Sequence, residues 1–291
     1  MLLYHCAKVV NCYHIERPRA PNHTGAIQIQ EEEKMKKFAA LLIALVLVLS
    51  TACFAEGYTF KMGFDAEYPP YTYMGDDGEY TGFDIEMCKK VCEINGWDLE
   101  LVTINWDTKL MTLDSGEIDC IWSGLTIDVI DPEAYTLSMA YSDNSQMILT
   151  KADSGIATLD DLAGKIVGVQ LGTSADILLS GDCADLAATF GELMRFENYN
   201  VCFTELMAGS IDAIAIDIGV AANKIAEYGD EYVMLDESWA AEKYGICFRK
   251  DDAEICAQVE DAFMQLVADG SYIALAEQFG LDTSALCLKA E

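Results

Sequence analysis

The sequence predicts an α/β protein made of two lobes of similar construction. Short apolar runs alternate with stretches of helical periodicity, an order typical of α/β units with parallel strands. A pattern of Leu, Gly, Ile, Asp and Ile at matching spacing occurs in residues 113–121 and again in 206–214. Its simplest meaning is two similar lobes, and a chain of 291 residues can form two modest cores. Such lobes enclose a cleft at the carboxyl ends of their strands, where small ligands bind.

The predicted elements alternate along the chain from residue 59 onward. Apolar, β-branched runs predict strands at 59–64, 99–104, 118–122, 146–151, 165–170, 211–216 and 231–235. Helical spacing predicts helices near 82–95, 107–115, 158–163, 173–180, 199–208 and 217–228. Residues 251–269 place apolar side chains on one helical face before Gly270, which predicts a long final helix.

Composition and charge exclude several functions. The chain has 49 Asp and Glu against 18 Lys and Arg, a net charge of −31, and it is 52% hydrophobic. This apolar content excludes a disordered acidic protein. The charge argues against a nucleic acid or an anionic membrane surface as the partner, because both attract Lys and Arg.

Histidine chemistry is confined to the first residues of the chain. The three histidines are His5, His14 and His23, so a site further along cannot use a Ser-His-Asp triad or a histidine base. No Gly-rich phosphate loop and no dinucleotide motif follows a predicted strand. We therefore expect no metal and no cofactor.

Residues 35–55 have the pattern of a secretory signal peptide. Two lysines after Met35 precede an apolar run of 12 residues, too short to span a membrane, and small residues follow it. Two processing routes stay open: lipidation of Cys53 as the first mature residue, or cleavage after Ala55. Residues 1–34 are interpreted as a mis-assigned leader.

Translation is predicted to start at Met35, because signal peptides begin at the initiator and the Glu codons at 31–33 could be a translated ribosome-binding site. Mass spectrometry of the purified precursor should detect no peptide from residues 1–34. Such a peptide would refute this start site.

Eight cysteines follow Cys53, and their spacing assigns neither a disulfide nor a metal site. Export permits disulfides, but the possible pairings are too many for the sequence to choose one. Cys88 and Cys92 lie one turn apart on a predicted helix, and no second close pair accompanies them. Buried free thiols are the alternative.

Motifs spread over residues 61–280 carry a family resemblance. They are GFDAEYPPY at 63–71, TGFDIE at 81–86, SGEID at 115–119, GLTI at 124–127, DDLAGKIVGV at 160–169, GTS at 172–174, GSIDAIAID at 209–217, GICFRK at 245–250 and ADGSY at 268–272. In this order and spacing, the segment resembles the amino-acid-binding proteins of ABC importers, solute-binding family 3.

The resemblance implies a periplasmic-binding-protein-like fold, with two α/β lobes joined by two crossing hinge strands. Lobe 1 would comprise about 58–141 and 241–291, and lobe 2 about 146–240. The hinge would close on the ligand, and the closed form would dock on an ABC permease. The protein is expected to be an extracytoplasmic monomer, in the periplasm or on the outer face of the cell membrane, and lipid-anchored if Cys53 is acylated.

The resemblance also implies ligand-binding residues in lobe 1. The residues are Asp65, Tyr68, Trp106, Ser123, Gly124, Leu125 and Thr126. Each has a structural alternative: Tyr68 could belong to a rigid turn with Pro69, Pro70 and Tyr71, the Trp could be plain core, and Ser or Thr could cap a helix.

In lobe 2 the resemblance implies Thr173, Ser174 and Asp217. The first two follow Gly172 at a helix start, where N–H groups could receive a carboxylate. Asp217 would pair with the ligand's ammonium group; its alternative role is the N-cap of the next helix.

One position departs from the family pattern. The family usually carries an Arg five residues after Thr126, which binds the α-carboxylate bidentately; here that position is Asp131. Either Lys109 supplies the charge, or the ligand is not an ordinary α-amino acid. Asp65, Asp131 and Asp217 together would suit a cation or a diamine, whereas Asp131 could also simply face solvent.

We therefore expect a binding protein without catalysis that captures an amino acid or a related small amine. The enzyme alternative is a cyclohexadienyl-dehydratase-like protein on this fold, whose dicarboxylate substrate would require cationic residues in the cleft. The third class is a ligand-sensing module, which would add a membrane span and a signalling domain.

Overall fold

The computed structural model describes residues 57–290, and a ten-stranded sheet forms its centre. The strands are β1 (Thr59–Phe64), β2 (Glu67–Tyr68), β3 (Thr72–Met74), β4 (Tyr80–Thr81), β5 (Asp98–Thr103), β6 (Cys120–Thr126), β7 (Tyr135–Leu137), β8 (Ser142–Lys151), β9 (Ile166–Gln170), β10 (Glu192–Phe196), β11 (Ala213–Asp217), β12 (Tyr232–Met234) and β13 (Ala240–Arg249). Strands β2, β3 and β4 form a separate small sheet.

Helices pack against the strands of both lobes. They are α1 (Phe83–Asn95), α2 (Lys109–Asp114), α3 (Ser174–Ser180), α4 (Ala184–Ala187), α5 (Tyr199–Ala208), α6 (Ile218–Tyr228), α7 (Ala253–Ala268) and α8 (Ser271–Gln278). In the described part of the chain, none of them has the length and apolarity needed to cross a membrane.

Two long strands connect two groups of parallel strands. The sheet order is β10-β9-β11-β8-β13-β6-β1-β5. Strands β1, β5 and β6 are parallel to one another, as are β9, β10 and β11. Between them, β8 and β13 run antiparallel, paired through residues 142–146 and 240–244. The expected architecture of two α/β lobes joined by two crossing strands is confirmed.

The repeated sequence pattern has the same structural role in both lobes. The backbone N–H of Lys61 in β1 donates to the Asp119 carboxylate at 2.9 Å, and that of Ile166 in β9 donates to Asp212 at 2.8 Å. In each copy the Asp fixes the start of the lobe's first strand to the loop before a neighbouring strand. The internal similarity therefore encodes one strand connection, built twice.

Most predicted elements are present, with shifted bounds. All seven predicted strands occur, although β6 and β8 extend beyond their predicted ends. The helix predicted at 158–163 is wrong, because Leu159–Leu162 forms only a short 3-10 turn. The helix predicted at 107–115 begins with a 3-10 turn at Trp106–Thr108. The expectation of parallel strands fails for β8 and β13.

The expectations for the N-terminal segment lie outside the described residues. These are the leader at 1–34, the signal peptide at 35–55 and the lipidation of Cys53. Among residues 57–290 all eight cysteines are free, six of them buried. Burial raises the pKa of the Cys247 and Cys256 thiols to about 12, so both stay protonated near neutral pH.

Aromatic side chains connect α7 to the sheet in lobe 1. Phe263 of α7 is fully buried and meets the Trp122 ring of β6 edge-on, with ring centroids 5.2 Å apart. Tyr141 lies 6.0 Å from the same Phe ring. Because large apolar rings contribute most to core energetics, this contact holds the final long helix in place.

Replacement of Phe263 by Ala should lower the free energy of unfolding by about 3–5 kcal/mol, because it leaves a cavity beside Trp122. Denaturant unfolding of the purified protein measures this change. The matched control is Ile273→Ala on α8, whose side chain is 48% exposed. Equal losses in the two variants would contradict the assigned role of the ring.

Candidate functional site

A narrow cavity lies between the two lobes and is lined by most of the predicted site residues. Its lining consists of Tyr68, Trp106, Lys109, Gly124, Leu125, Thr126, Val129, Gly172, Thr173, Ser174 and Asp217. Nine of these residues were predicted from the sequence. Both lobes contribute to the lining, so a ligand here would touch both.

Gly124 brings the backbone of lobe 1 against two tyrosine rings. Its φ of +54° is in the left-handed region, and a Cβ atom would lie 2.6 Å from the Tyr68 ring. The hydroxyl of Tyr68 lies 2.9 Å from that of Tyr244 on β13, which the sequence did not single out. Only glycine allows this backbone to approach both rings.

A buried carboxylate holds the backbone of Gly124, within β6, in place. The Gly124 N–H donates to Asp84 Oδ2 at 2.6 Å, and the Tyr141 hydroxyl donates to the same oxygen at 2.9 Å. Burial raises the pKa of Asp84 to about 7, while these hydrogen bonds act in the opposite direction. The sequence placed Asp84 in a motif but did not predict a role for it.

Two buried carboxylates share the same amide donors where the lobes meet. Asp217, at the end of β11, is 3% exposed, and Glu242 on β13 is 5% exposed. Asn144 Nδ2 donates to Asp217 at 2.7 Å and to Glu242 at 2.9 Å. Gln146 Nε2 donates to the same two groups at 2.6 and 3.0 Å. The acidic pair is held by neutral groups of β8.

Two hydroxyl groups also donate hydrogen bonds to Glu242. Thr126 Oγ1 donates to Glu242 Oε2 at 3.0 Å, and Ser174 Oγ donates to the same oxygen at 3.2 Å. Burial raises the pKa of both Asp217 and Glu242, and the charge of Asp217 adds to the effect on Glu242. The arrangement therefore favours protonation, or a cation brought from outside.

Lys109 is the basic residue of the cavity lining. Its ammonium group donates to the carbonyl oxygens of Gly172 at 2.6 Å and Trp106 at 3.2 Å, and it lies 4.9 Å from the Trp106 ring centroid. Burial lowers the pKa of Lys109 to about 8. The side chain bridges the two lobes and keeps one of its three donors for a further acceptor.

Three predicted residues lie outside the cavity. Asp65 is buried at the lobe interface, where Gln170 Nε2 donates to its Oδ2 at 2.6 Å. Ser123 is buried and bonds the Thr72 hydroxyl. Asp131 is exposed, and its carboxylate accepts the N–H of Glu133.

The acidic cluster predicted from Asp65, Asp131 and Asp217 therefore needs correction. The structure does not bring Asp131 into it, because an Asx turn beside a proline directs that carboxylate to the surface. The carboxylate that accompanies Asp217 is Glu242, which the sequence reading missed.

Neither Thr126 nor Asp217 caps a helix through its side chain. Thr126 occupies the N-cap position of the 3-10 turn Ile127–Val129 without a capping bond. Thr173, for which no capping role was predicted, caps α3 by accepting the N–H of Asp176. Asp217 occupies the N-cap position of α6, but its side chain makes no capping bond and turns to the β8 amides instead.

The residues that sequence reading missed lie mainly on the two crossing strands. Asn144, Gln146, Glu242 and Tyr244 all face the junction of the lobes and are buried. Residues 142–146 are all polar, so the sequence shows no alternation of apolar and polar residues that could have identified the β8 pair. Across residues 57–290, no cluster of three or more His, Cys, Asp or Glu could hold a metal ion.

Comparison with known proteins gives consistent results. Residues 60–282 match the family model of bacterial extracellular solute-binding proteins, family 3. The L-cystine-binding protein TcyJ of Escherichia coli (strain K12) is 30% identical over 256 residues, which cover 84% of this chain and 94% of that protein. The lysine/arginine/ornithine-binding periplasmic protein of the same strain is 28% identical, with 84% and 97% covered.

Solved structures agree with the fold. An ABC uptake transporter substrate-binding protein from Streptococcus pneumoniae, crystallised with bound histidine, superposes with a TM-score of 0.75 at 28% identity. The match covers 79% of this chain and 95% of that one.

Asp84→Asn should flatten the pH dependence of stability between about pH 4 and pH 7. A carboxylate whose pKa rises on folding, here from 3.8 to about 7, stabilises the fold fully below pH 3.8, and this contribution is lost as the pH rises through 7. Asn keeps an acceptor for Gly124 but cannot titrate.

Denaturant unfolding of wild type and variant across this range gives the difference curve, with a slope of at most about 1.4 kcal/mol per pH unit. Asp236→Asn at an exposed site is the control. Parallel curves for wild type and Asp84→Asn would refute the role of this group.

Proposed function

We propose that this chain, which belongs to the bacterial extracellular solute-binding proteins of family 3, is the ligand-binding component of an ABC importer. It captures an amino acid or a related small amine between its two lobes, and the crossing strands β8 and β13 act as the hinge. The protein carries out no catalysis.

The observation that carries this proposal is the position of Asp217. Its carboxylate lies at the carboxyl end of a parallel strand, lines the interlobe cavity and has amide partners but, among residues 57–290, no cationic partner. Strand ends facing a cleft are the usual ligand sites of α/β proteins. The ammonium group of a ligand would give the Asp217 carboxylate a positively charged partner.

The other lining residues suit the rest of an amino-acid-like ligand. Tyr68 and Trp106 offer apolar faces, Thr126 and Ser174 offer hydroxyl groups, and Lys109 offers a cation for a carboxylate. The relatives are named for binding L-cystine, basic amino acids and histidine, which supports a ligand of this class.

The proposal extends to the setting of the protein. It acts outside the cytoplasm as a monomer, and its closed form docks on a membrane permease of the ABC type. Lipidation of Cys53 would hold it at the outer face of the membrane, whereas cleavage after Ala55 would release it. The family to which the chain belongs supports an extracellular location.

A thermal-shift panel of amino acids, diamines and quaternary amines tests the function. A true ligand at a concentration about 100 times its Kd should add about 2.7 kcal/mol of stability. Asp217→Asn should reduce this shift strongly, because it removes the charge that faces the ammonium group. Asp236→Asn, the same change at an exposed site, should leave it unchanged.

Two results would overturn the proposal. One is the absence of any shift with every amino acid and amine in the panel. The other is turnover of prephenate or arogenate, which would make the protein a dehydratase.

A further inference from the structure

Three buried oxygen atoms at the acidic pair, where the lobes meet, have no hydrogen-bond donor. Asn144 Nδ2 donates to both Asp217 and Glu242, and Gln146 Nε2 donates to both carboxylates and to Ser174 Oγ, so neither amide has a free N–H bond. Their oxygens, Asn144 Oδ1 and Gln146 Oε1, are buried without a partner, as is Glu242 Oε1. All three side chains are at least nine-tenths buried.

These unpartnered atoms belong to one small region. Asn144 Nδ2, Gln146 Nε2, Thr126 Oγ1 and Ser174 Oγ all bond the same oxygen, Glu242 Oε2. A buried polar atom without a hydrogen bond is costly, so native structures rarely keep several together without a reason. A group with several N–H donors and a positive charge would satisfy them; another acceptor or an apolar group would not.

The balance of charge around the cavity also favours a ligand of net positive charge. Two buried carboxylates, Asp217 and Glu242, lie close together beside the cavity, and Lys109 is the basic residue of its lining. A neutral zwitterionic amino acid adds no net charge and leaves this excess in place. A ligand with net positive charge reduces it, and buried charges are stable only when they are paired.

We infer that Glu242 is a specificity-determining residue, a second carboxylate beside Asp217 that makes the site select a ligand of net positive charge. This inference rests on the proposed function. The ligand class is small basic amino acids or diamines, which share a primary ammonium group and a second cationic group. Glu242 bonds Thr126 and Ser174, which line the cavity, and it lines a neighbouring cavity itself.

The test compares L-arginine with L-citrulline, which have nearly the same shape but differ in a charged guanidinium against a neutral urea group. Calorimetry on the purified protein should show arginine binding at least about tenfold more tightly. Glu242→Gln keeps the shape and removes the charge, and it should reduce this preference by about tenfold. Glu237→Gln at an exposed position of the preceding loop should retain the wild-type preference.

A second measurement needs no variant. The titratable groups around Glu242 are Asp217, Tyr199 and Cys183, and burial favours the protonated form of each. A bound cation returns the carboxylates to their charged form, so arginine binding at a pH between 4.5, the ordinary pKa of a Glu side chain, and the raised pKa of Glu242 should release protons. Calorimetry in two buffers of different ionisation enthalpy measures this release. Putrescine in the same assay distinguishes a diamine site from one that also needs a carboxylate.

Three outcomes would overturn the inference. Wild-type protein could prefer citrulline or glutamine over arginine, Glu242→Gln could keep the full preference, or arginine could bind without proton release. In each case amino-acid binding itself, and with it the proposed function, would stand. A protein that binds none of these probes would instead refute the proposed function and remove the basis of the inference.

Discussion

The antiparallel pairing of β8 with β13 is the contact on which the rest of the structure depends. Residues 142–146 and 240–244 form the junction through which the two groups of parallel strands become one sheet. The same few residues carry the buried amides and Glu242. The connection between the lobes and the polar centre of the cleft are therefore one piece of structure, and a change in either alters the other.

Much of the fold could be predicted from the sequence because local signals agreed with it. Apolar runs identified five of the six parallel strands and missed β10, in which Glu192 and Arg195 interrupt the apolar run. The duplicated pattern around Asp119 and Asp212 indicated two lobes. The strands β8 and β13 were harder to recognise as hinge strands, because their pairing joins residues about 100 positions apart and polar side chains interrupt their apolar runs. Local periodicity contains no information about such a partner.

Site residues could be predicted from the sequence only where they belong to one of the family motifs. Gly124, Thr126 and Asp217 lie where strand ends placed them, whereas Glu242 and Gln146 become neighbours only through the pairing of β8 with β13. For Asp131 the error was the reverse, because a residue was predicted in the cleft that the structure places at the surface. Its position in the chain suggested the cleft, but a single backbone hydrogen bond in an exposed turn was enough to direct it elsewhere.

The contact between Asp65 and Gln170 has a consequence of its own. Each of these residues lies two positions beyond a glycine that is packed against an isoleucine of its own lobe, Gly63 against Ile118 and Gly168 against Ile211. They are thus equivalent positions of two related halves, and they bond each other. Two aspartates there would repel, whereas Gln170 donates to Asp65, so a second copy of lobe 1 could not replace lobe 2 at this contact.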